Sequence, residues 1–283
     1  MDRKSFLQTT GLLVASGIAS KVSAAESFLS HESLKASHSS AAADFPLMDL
    51  HVHRSNTLTI DDIVAKSKET GIRFGVMENI NSRSMGSNEQ MKAYIDSLRP
   101  YPVYIGLQPM ELGWSKNYSP EVIAQADYVT MDPQVVPNGN KYGETISVWV
   151  YASYIDDPEY FMESNMKHYM NILTGDDPIN IFGCPFYLPS PIERLYDKLW
   201  TKARLQQVID ALLARNIAIE INDLMRVPHE EFILTAKSAG VKFAFGSDTR
   251  NQQTGRLDYC KYIAEKCKLT RDDFFIPKRQ ISN

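Results

Sequence analysis

The chain holds 283 residues, 43% hydrophobic and 23% charged, which is ordinary globular composition and enough for one large domain or two small ones. A formal net charge of −4 leaves no electrostatic footprint for nucleic acid. No apolar run is long enough to cross a bilayer outright.

Residues 1–24 have the three-part layout of an export signal. Arg3 and Lys4 come first, then the short small-residue core TTGLLVASGIAS, then small residues ending at Ala24 with Val22 ahead of the cut. An ordinary amphipathic helix is the alternative. DRKSFLQ has the form of a twin-arginine signal in which Lys4 replaces the second arginine, so that route and the general secretory route both stay open. Either one places the mature protein in the periplasm or outside the cell. Cleavage removes Arg3, Lys4 and Lys21 against Asp2 alone, which leaves a more acidic chain with no stable membrane insertion. Residues 25–44, rich in Ser and Ala, read as a loose linker. Residues 45–283 read as one domain.

From residue 46 onward, short β-branched and aromatic runs alternate with stretches of helical period. The runs are FPLMDLHV, RFGVM, VYIGL, DYVTM, INIFG, IAIEIN and KFAFGS. Between most of them lie TIDDIVAKSKETG, NEQMKAYIDSLR, PEYFMESNMKHYMNILTG, TKARLQQVIDALLARN and PHEEFILTAKSAG. Thr59 caps the first helix, with Asp62 completing a capping box, and Gly71 ends it; Gly240 ends the last. Strand and helix in alternation mean a parallel sheet with crossover helices. About seven such units, with no dinucleotide glycine fingerprint after the first strand, favour a TIM-like barrel over an open sheet. Cys184, Cys260 and Cys267 are expected as free, mostly buried thiols, because Cys260 and Cys267 are two turns apart on one helix and cannot bridge.

Barrel chemistry sits where strands end. His51, His53, Glu78, Glu111, Cys184, Glu220, Asn222 and Asp248 all fall at or near such ends. In DLHVH, His51 and His53 point the same way from one strand, as metal ligands or as a hydrogen-bonded buried pair. Glu220 and Asn222 share a face, with Glu220 at least as readable as structural. His31, His38, His168 and His229 lack a strand-end setting and read as surface or helix-packing residues.

These motifs resemble the PHP (polymerase and histidinol phosphatase) superfamily of metallohydrolases over about residues 46–252. DLHVH is similar to the family's opening Asp-Leu-His-x-His, and the segment ending in FGSDTR is similar to its last two β/α units. The resemblance implies a distorted (β/α)7 TIM-like barrel of PHP type, with phosphoester hydrolysis by a cluster of divalent metals. The chain departs from the family pattern at several ligands. Glu78-Asn79 stands for Asp-His, and Gln108 stands for a bridging Glu that Glu111 could replace. Asp132-Pro133-Gln134 stands for Ser-x-His, Cys184 for a His, and Arg250 for the last His.

His51, His53 and Asp248 remain, with Glu111 as a further candidate, and suffice for one Zn, Mn or Fe with open positions for water. The competing reading is a vestigial site whose histidines are held by Asp248 and Asp49. Arg250 and Arg54 could supply fixed positive charge where metals stood. Glu78 and Asp132 are candidate proton acceptors, against ordinary ion pairing. Asn79, Gln108, Gln134, Cys184 and Asn222 are candidate substrate-binding groups. Trp114, Trp149, Tyr151, Tyr154 and Tyr187 lie in loop stretches and could stack on a ring, although most aromatics bury against helices. The expected function is an exported metal-dependent hydrolase of a small, anionic or carbohydrate substrate. The alternative is a barrel that binds such a molecule with other chemistry or none.

Overall fold

The computed structural model describes residues 44–81, 85–279 and 281. The expected export signal, residues 1–24, and nearly all of the expected linker lie outside the described residues. The elements run β1 (Met48–Val52), α1 (Ile60–Thr70), β2 (Arg73–Ile80), α2 (Asn88–Leu98), β3 (Tyr104–Pro109), α3 (Pro120–Ile123), β4 (Tyr128–Met131), β5 (Val135–Val136) and β6 (Ile146–Ser147). They continue with α4 (Pro158–Thr174), β7 (Ile181–Phe182), α5 (Tyr196–Leu199), α6 (Lys202–Arg215), β8 (Ala218–Asn222), α7 (Glu230–Ala239), β9 (Phe243–Gly246) and α8 (Asp258–Lys266).

Seven strands form one parallel sheet in the order β1-β2-β3-β4-β7-β8-β9. It nearly closes: Val52 bridges Thr249 in parallel, and the His53 N–H donates to the Thr249 carbonyl at 3.0 Å. The result is a TIM-like α/β barrel. All seven runs read from the sequence become its strands. They read as continuous apolar runs because helices cover the outside of a parallel sheet while side chains fill the inside. Helix α1 starts at the Thr59–Asp62 capping box and stops at Gly71 in the left-handed region, φ 71°, where a residue without Cβ is favoured.

The interior layer takes side chains from every strand of the sheet: Met48 and Leu50, Met77, Tyr104, Tyr128, Ile181, Ala218 and Ala244. The ring of Tyr128 lies across Gly75 and Gly106, where an added Cβ would come within 2.2 and 2.5 Å of it. Its hydroxyl donates to the Leu50 carbonyl at 2.7 Å. Continuing two or four residues along these inward faces, the side chains become polar: Asn79, Gln108, Asp132, Glu220, Asn222 and Asp248. Apolar plug and polar mouth are thus successive layers of one alternation.

β1 breaks that alternation. Its register with β2 shifts between Asp49 and Val52, an irregularity of the β-bulge kind. Leu50 belongs to the inner layer, yet the next residue, His51, also reaches inner Glu220. The shift delivers the imidazoles to the mouth.

Candidate functional site

Glu220 occupies a cradle midway along β8. A Cβ on Gly246 would lie 1.7 Å from its Oε1, and one on Gly183 would lie 3.2 Å from its Oε2. The carboxylate is therefore seated against two bare backbones. It accepts from the Cys184 N–H with Oε2, and its Oε1 lies 2.8 Å from His51 Nδ1. Asn222 Nδ2 donates to the same Oε1 at 3.3 Å. His51 Nε2 points the other way, 3.4 Å from Asp248 Oδ1, and His53 Nε2 lies 3.7 Å from that oxygen. The two imidazole rings are 5.3 Å apart. His51, His53 and Asp248 form one group able to hold a metal ion; His51, Cys184 and Glu220 form another.

The electrostatics follow from burial. Burial opposes a charge on His51, but the Glu220 and Asp248 carboxylates outweigh it and hold the ring up at about 9. Burial, then the charge of His51 and of Arg250, pushes His53 well below its ordinary value, so its ring is neutral. Its Nε2 is buried and has no hydrogen-bond partner. A neutral, unpartnered imidazole nitrogen beside a carboxylate and a second imidazole fits a borderline cation such as Zn²⁺. Burial also raises Asp132 to about 7, against the pull of the Gln134 N–H that donates to it at 2.8 Å. Asp49, likewise raised to about 7 by burial, accepts the backbone N–H groups of His51 and Ser247. It ties β1 to the end of β9 and, in its hydrogen bonds, reaches neither imidazole ring, contrary to the role expected of it in a vestigial site.

The mouth opens into a cavity of about 410 Å³ lined by Asn79, Gln108, Met110, Asp132, Gln134, Trp149, Asp248 and Arg250. Gln108 Nε2 sits 3.1 Å from Asp132 Oδ2 and 3.2 Å from His51 Nε2. Arg250 is exposed and donates to Asp248 Oδ1, the oxygen on which both imidazoles converge.

Other expected site residues fall elsewhere. Glu111 is exposed in the turn beyond β3, outside both metal-capable groups, because the chain leaves the barrel at Pro109 and the inward alternation ends there. Arg54 is half-buried with its guanidinium 5.5 Å from the centre of the Tyr94 ring, a cation–π pairing away from the cavity lining. Glu78 accepts the N–H of Asn79 at 3.2 Å and does not line the cavity. Cys184 and Asn222 are buried behind Glu220, joined by an Nδ2–Sγ contact of 3.7 Å. Trp114 is buried in the core, whereas Trp149, Tyr151 and Tyr154 are exposed. All three cysteines are free and buried. Glu220, near a strand end by residue order and at least as readable as structural, is the group that holds the His51 ring. The available signal was a carboxylate inside an otherwise apolar run that had to be buried on both faces.

Among the remaining histidines, His31 and His38 lie outside the described residues. His229 precedes α7 and packs 4.2 Å from the Tyr196 ring. His168 is buried in α4, and burial lowers it from its ordinary 6.5 to about 4. The unfolded chain therefore takes up this proton before the folded one as pH falls. The destabilisation begins near pH 6.5 and is complete near pH 4, reaching roughly 3 kcal/mol. His168→Gln should flatten the fall in urea-unfolding free energy across that window relative to the parent; equal slopes would remove His168 as a cause.

A parallel, nearly closed barrel carrying this His/Glu/Asp cluster fits a metallohydrolase-like barrel. No family model matches the chain, and no curated protein matches it. Among solved structures, a variant of triazine hydrolase is similar at 14% identity and a TM-score of 0.29, over 70% of this chain and 42% of that one. The chain thus spans less than half the length of that protein, and a likeness of that size does not bear on chemistry.

Proposed function

We propose that the chain is an exported, PHP-like metal-dependent hydrolase in which His51, His53 and Asp248 hold a single divalent cation. The observation that carries this reading is the buried His53 Nε2, which lacks a hydrogen-bond partner and faces Asp248 Oδ1 beside His51 Nε2. When bound there, a Zn, Mn or Fe ion supplies Lewis-acid polarisation and makes water a stronger acid. Glu220 fixes the His51 ring through Nδ1 and leaves Nε2 directed at the ligand position. Asp132, raised to about 7 and lining the cavity, is suited to take a proton near neutral pH. Gln108 orients that carboxylate through its 3.1 Å contact. Substrate is a small phosphoester or related molecule reaching the cavity from the mouth.

Purified protein loaded in turn with Zn, Mn and Fe should retain close to one equivalent and hydrolyse at least one member of a phosphoester panel. Less than about a tenth of an equivalent of every metal would overturn the reading, since such sites act only with bound metal. One observation favours the second reading, a barrel that binds its ligand without metal: Arg250 already neutralises Asp248. The same contact yields a further expectation. Arg250→Ala removes a positive charge beside the ligand carboxylate, so metal affinity by calorimetry should tighten roughly tenfold at low salt and less at high salt. Unchanged affinity would mean that Arg250 does not compete for Asp248.

A further inference from the structure

The lining of the 410 Å³ cavity is uneven in a way that single-cation chemistry does not require. Beside Asp132 and Asp248 it presents three side-chain amides, Asn79, Gln108 and Gln134, and one aromatic ring, Trp149. An amide offers donors and an acceptor on one planar group, which matches hydroxyls that both give and accept hydrogen bonds. Gln108 is 2% exposed, and its amide lies 3.1 Å from Asp132 Oδ2 and 3.2 Å from His51 Nε2, which fixes its plane at the cavity wall.

Trp149 completes the pattern. It follows the β5–β6 hairpin and is 48% exposed, although it lines the cavity. Tyr151 and Tyr154 follow it on the same insertion, 85% and 58% exposed. Large rings held half in solvent beside polar groups are suited to the apolar face of a ligand whose edge is polar, because the negative face of the ring attracts C–H groups. A cyclic polyol has that make-up: C–H groups on its faces and hydroxyls around its rim.

We infer that the cavity binds a sugar ring, with one face on the Trp149 indole and its rim hydroxyls bonded by the amides of the lining, Gln134 foremost. This deepens the hydrolase reading by naming its substrate class, a glycosyl or sugar-derived ester. The binding itself stands on the cavity and does not need the cation.

Trp149 provides its own reporter, since Trp114 and Trp200 are each 3% exposed and only Trp149 faces the cavity. Metal-free protein is titrated with glucose, galactose, mannose, glucose 6-phosphate and glucuronate, and separately with inorganic phosphate and with benzyl alcohol, following tryptophan emission. The expected result is a saturable blue shift with at least one sugar or charged sugar, absent with phosphate and benzyl alcohol. Trp149→Phe should abolish the signal, and calorimetry on that variant should show weakened binding. Gln134→Leu should keep the reporter and weaken binding at least tenfold. No response to any of the sugars, a response to phosphate or benzyl alcohol instead, or full affinity in Gln134→Leu overturns the inference. Because no metal and no turnover enter the titration, sugar binding in a protein that fails to retain metal would refute the hydrolase alone. Metal retention without sugar binding would refute the substrate class alone.

Discussion

His51→Ala should emerge from metal loading with less than about a tenth of an equivalent bound and with no measurable hydrolysis of any substrate that the parent turns over. The variant removes one ligand nitrogen and also the positive partner of Glu220, whose carboxylate lies 2.8 Å away at 2% side-chain exposure. Breaking a buried pair from one side leaves an uncompensated charge, and a destabilisation of about 3–5 kcal/mol is expected in the metal-free protein. His53→Ala serves as the internal comparison. His53 is neutral and its Nε2 is unpartnered, so its removal should abolish metal retention at a smaller stability cost. Equal stability losses in the two variants would contradict the charge assignments. Retained metal in both would place the cation elsewhere, with the group His51, Cys184 and Glu220 as the nearest alternative.

Gly246→Ala is expected to do comparable damage with a single methyl group. An added Cβ would lie 1.7 Å from Glu220 Oε1 and 2.7 Å from the Cβ of His51, closer than any non-bonded contact tolerates. Glu220 must leave its cradle, and His51 then loses the group that fixes its ring. The cost combines overpacking with loss of a buried ion pair, about 3 kcal/mol or more. Metal retention should fall with it. Trimming the offending carboxylate tests the cause: Glu220→Ala in the Gly246→Ala background should add little further loss, so the two changes are strongly non-additive by thermal melts and metal analysis. Additive losses would show that the glycine matters for some reason other than Glu220.

Much of this molecule is readable from residue order because a parallel barrel repeats one local rule. Runs such as VYIGL and IAIEIN are buried on both faces and stay apolar, and their flanking helices carry caps at Thr59, Gly71 and Gly240. The polar ends of those runs, at Gln108, Asp132, Asn222 and Asp248, are visible for the same reason. Less local facts were not. Regular alternation predicts that His51 and His53 share a face, but it says nothing of the register shift that sets His51 against Glu220. Glu111 looked serviceable by spacing, and only the departure of the chain after Pro109 removes it. Arg54 finds the ring of Tyr94, forty residues away, a pairing with no sequence periodicity. The two-residue strands β5 and β6 are too short to carry any period.

The Tyr128 ring, wedged over Gly75 and Gly106, has a kinetic consequence. With the rest of the apolar layer it fills the barrel beneath the polar side chains, so a molecule in the cavity is approached from the strand-end side. Trp149 and Arg250, both exposed, line the cavity on the side left open. On the proposed hydrolase reading, product held in the cavity and incoming substrate would exclude one another, so product should inhibit competitively. Dwell time is then governed by the loops at the rim, and changes there alter entry and exit together.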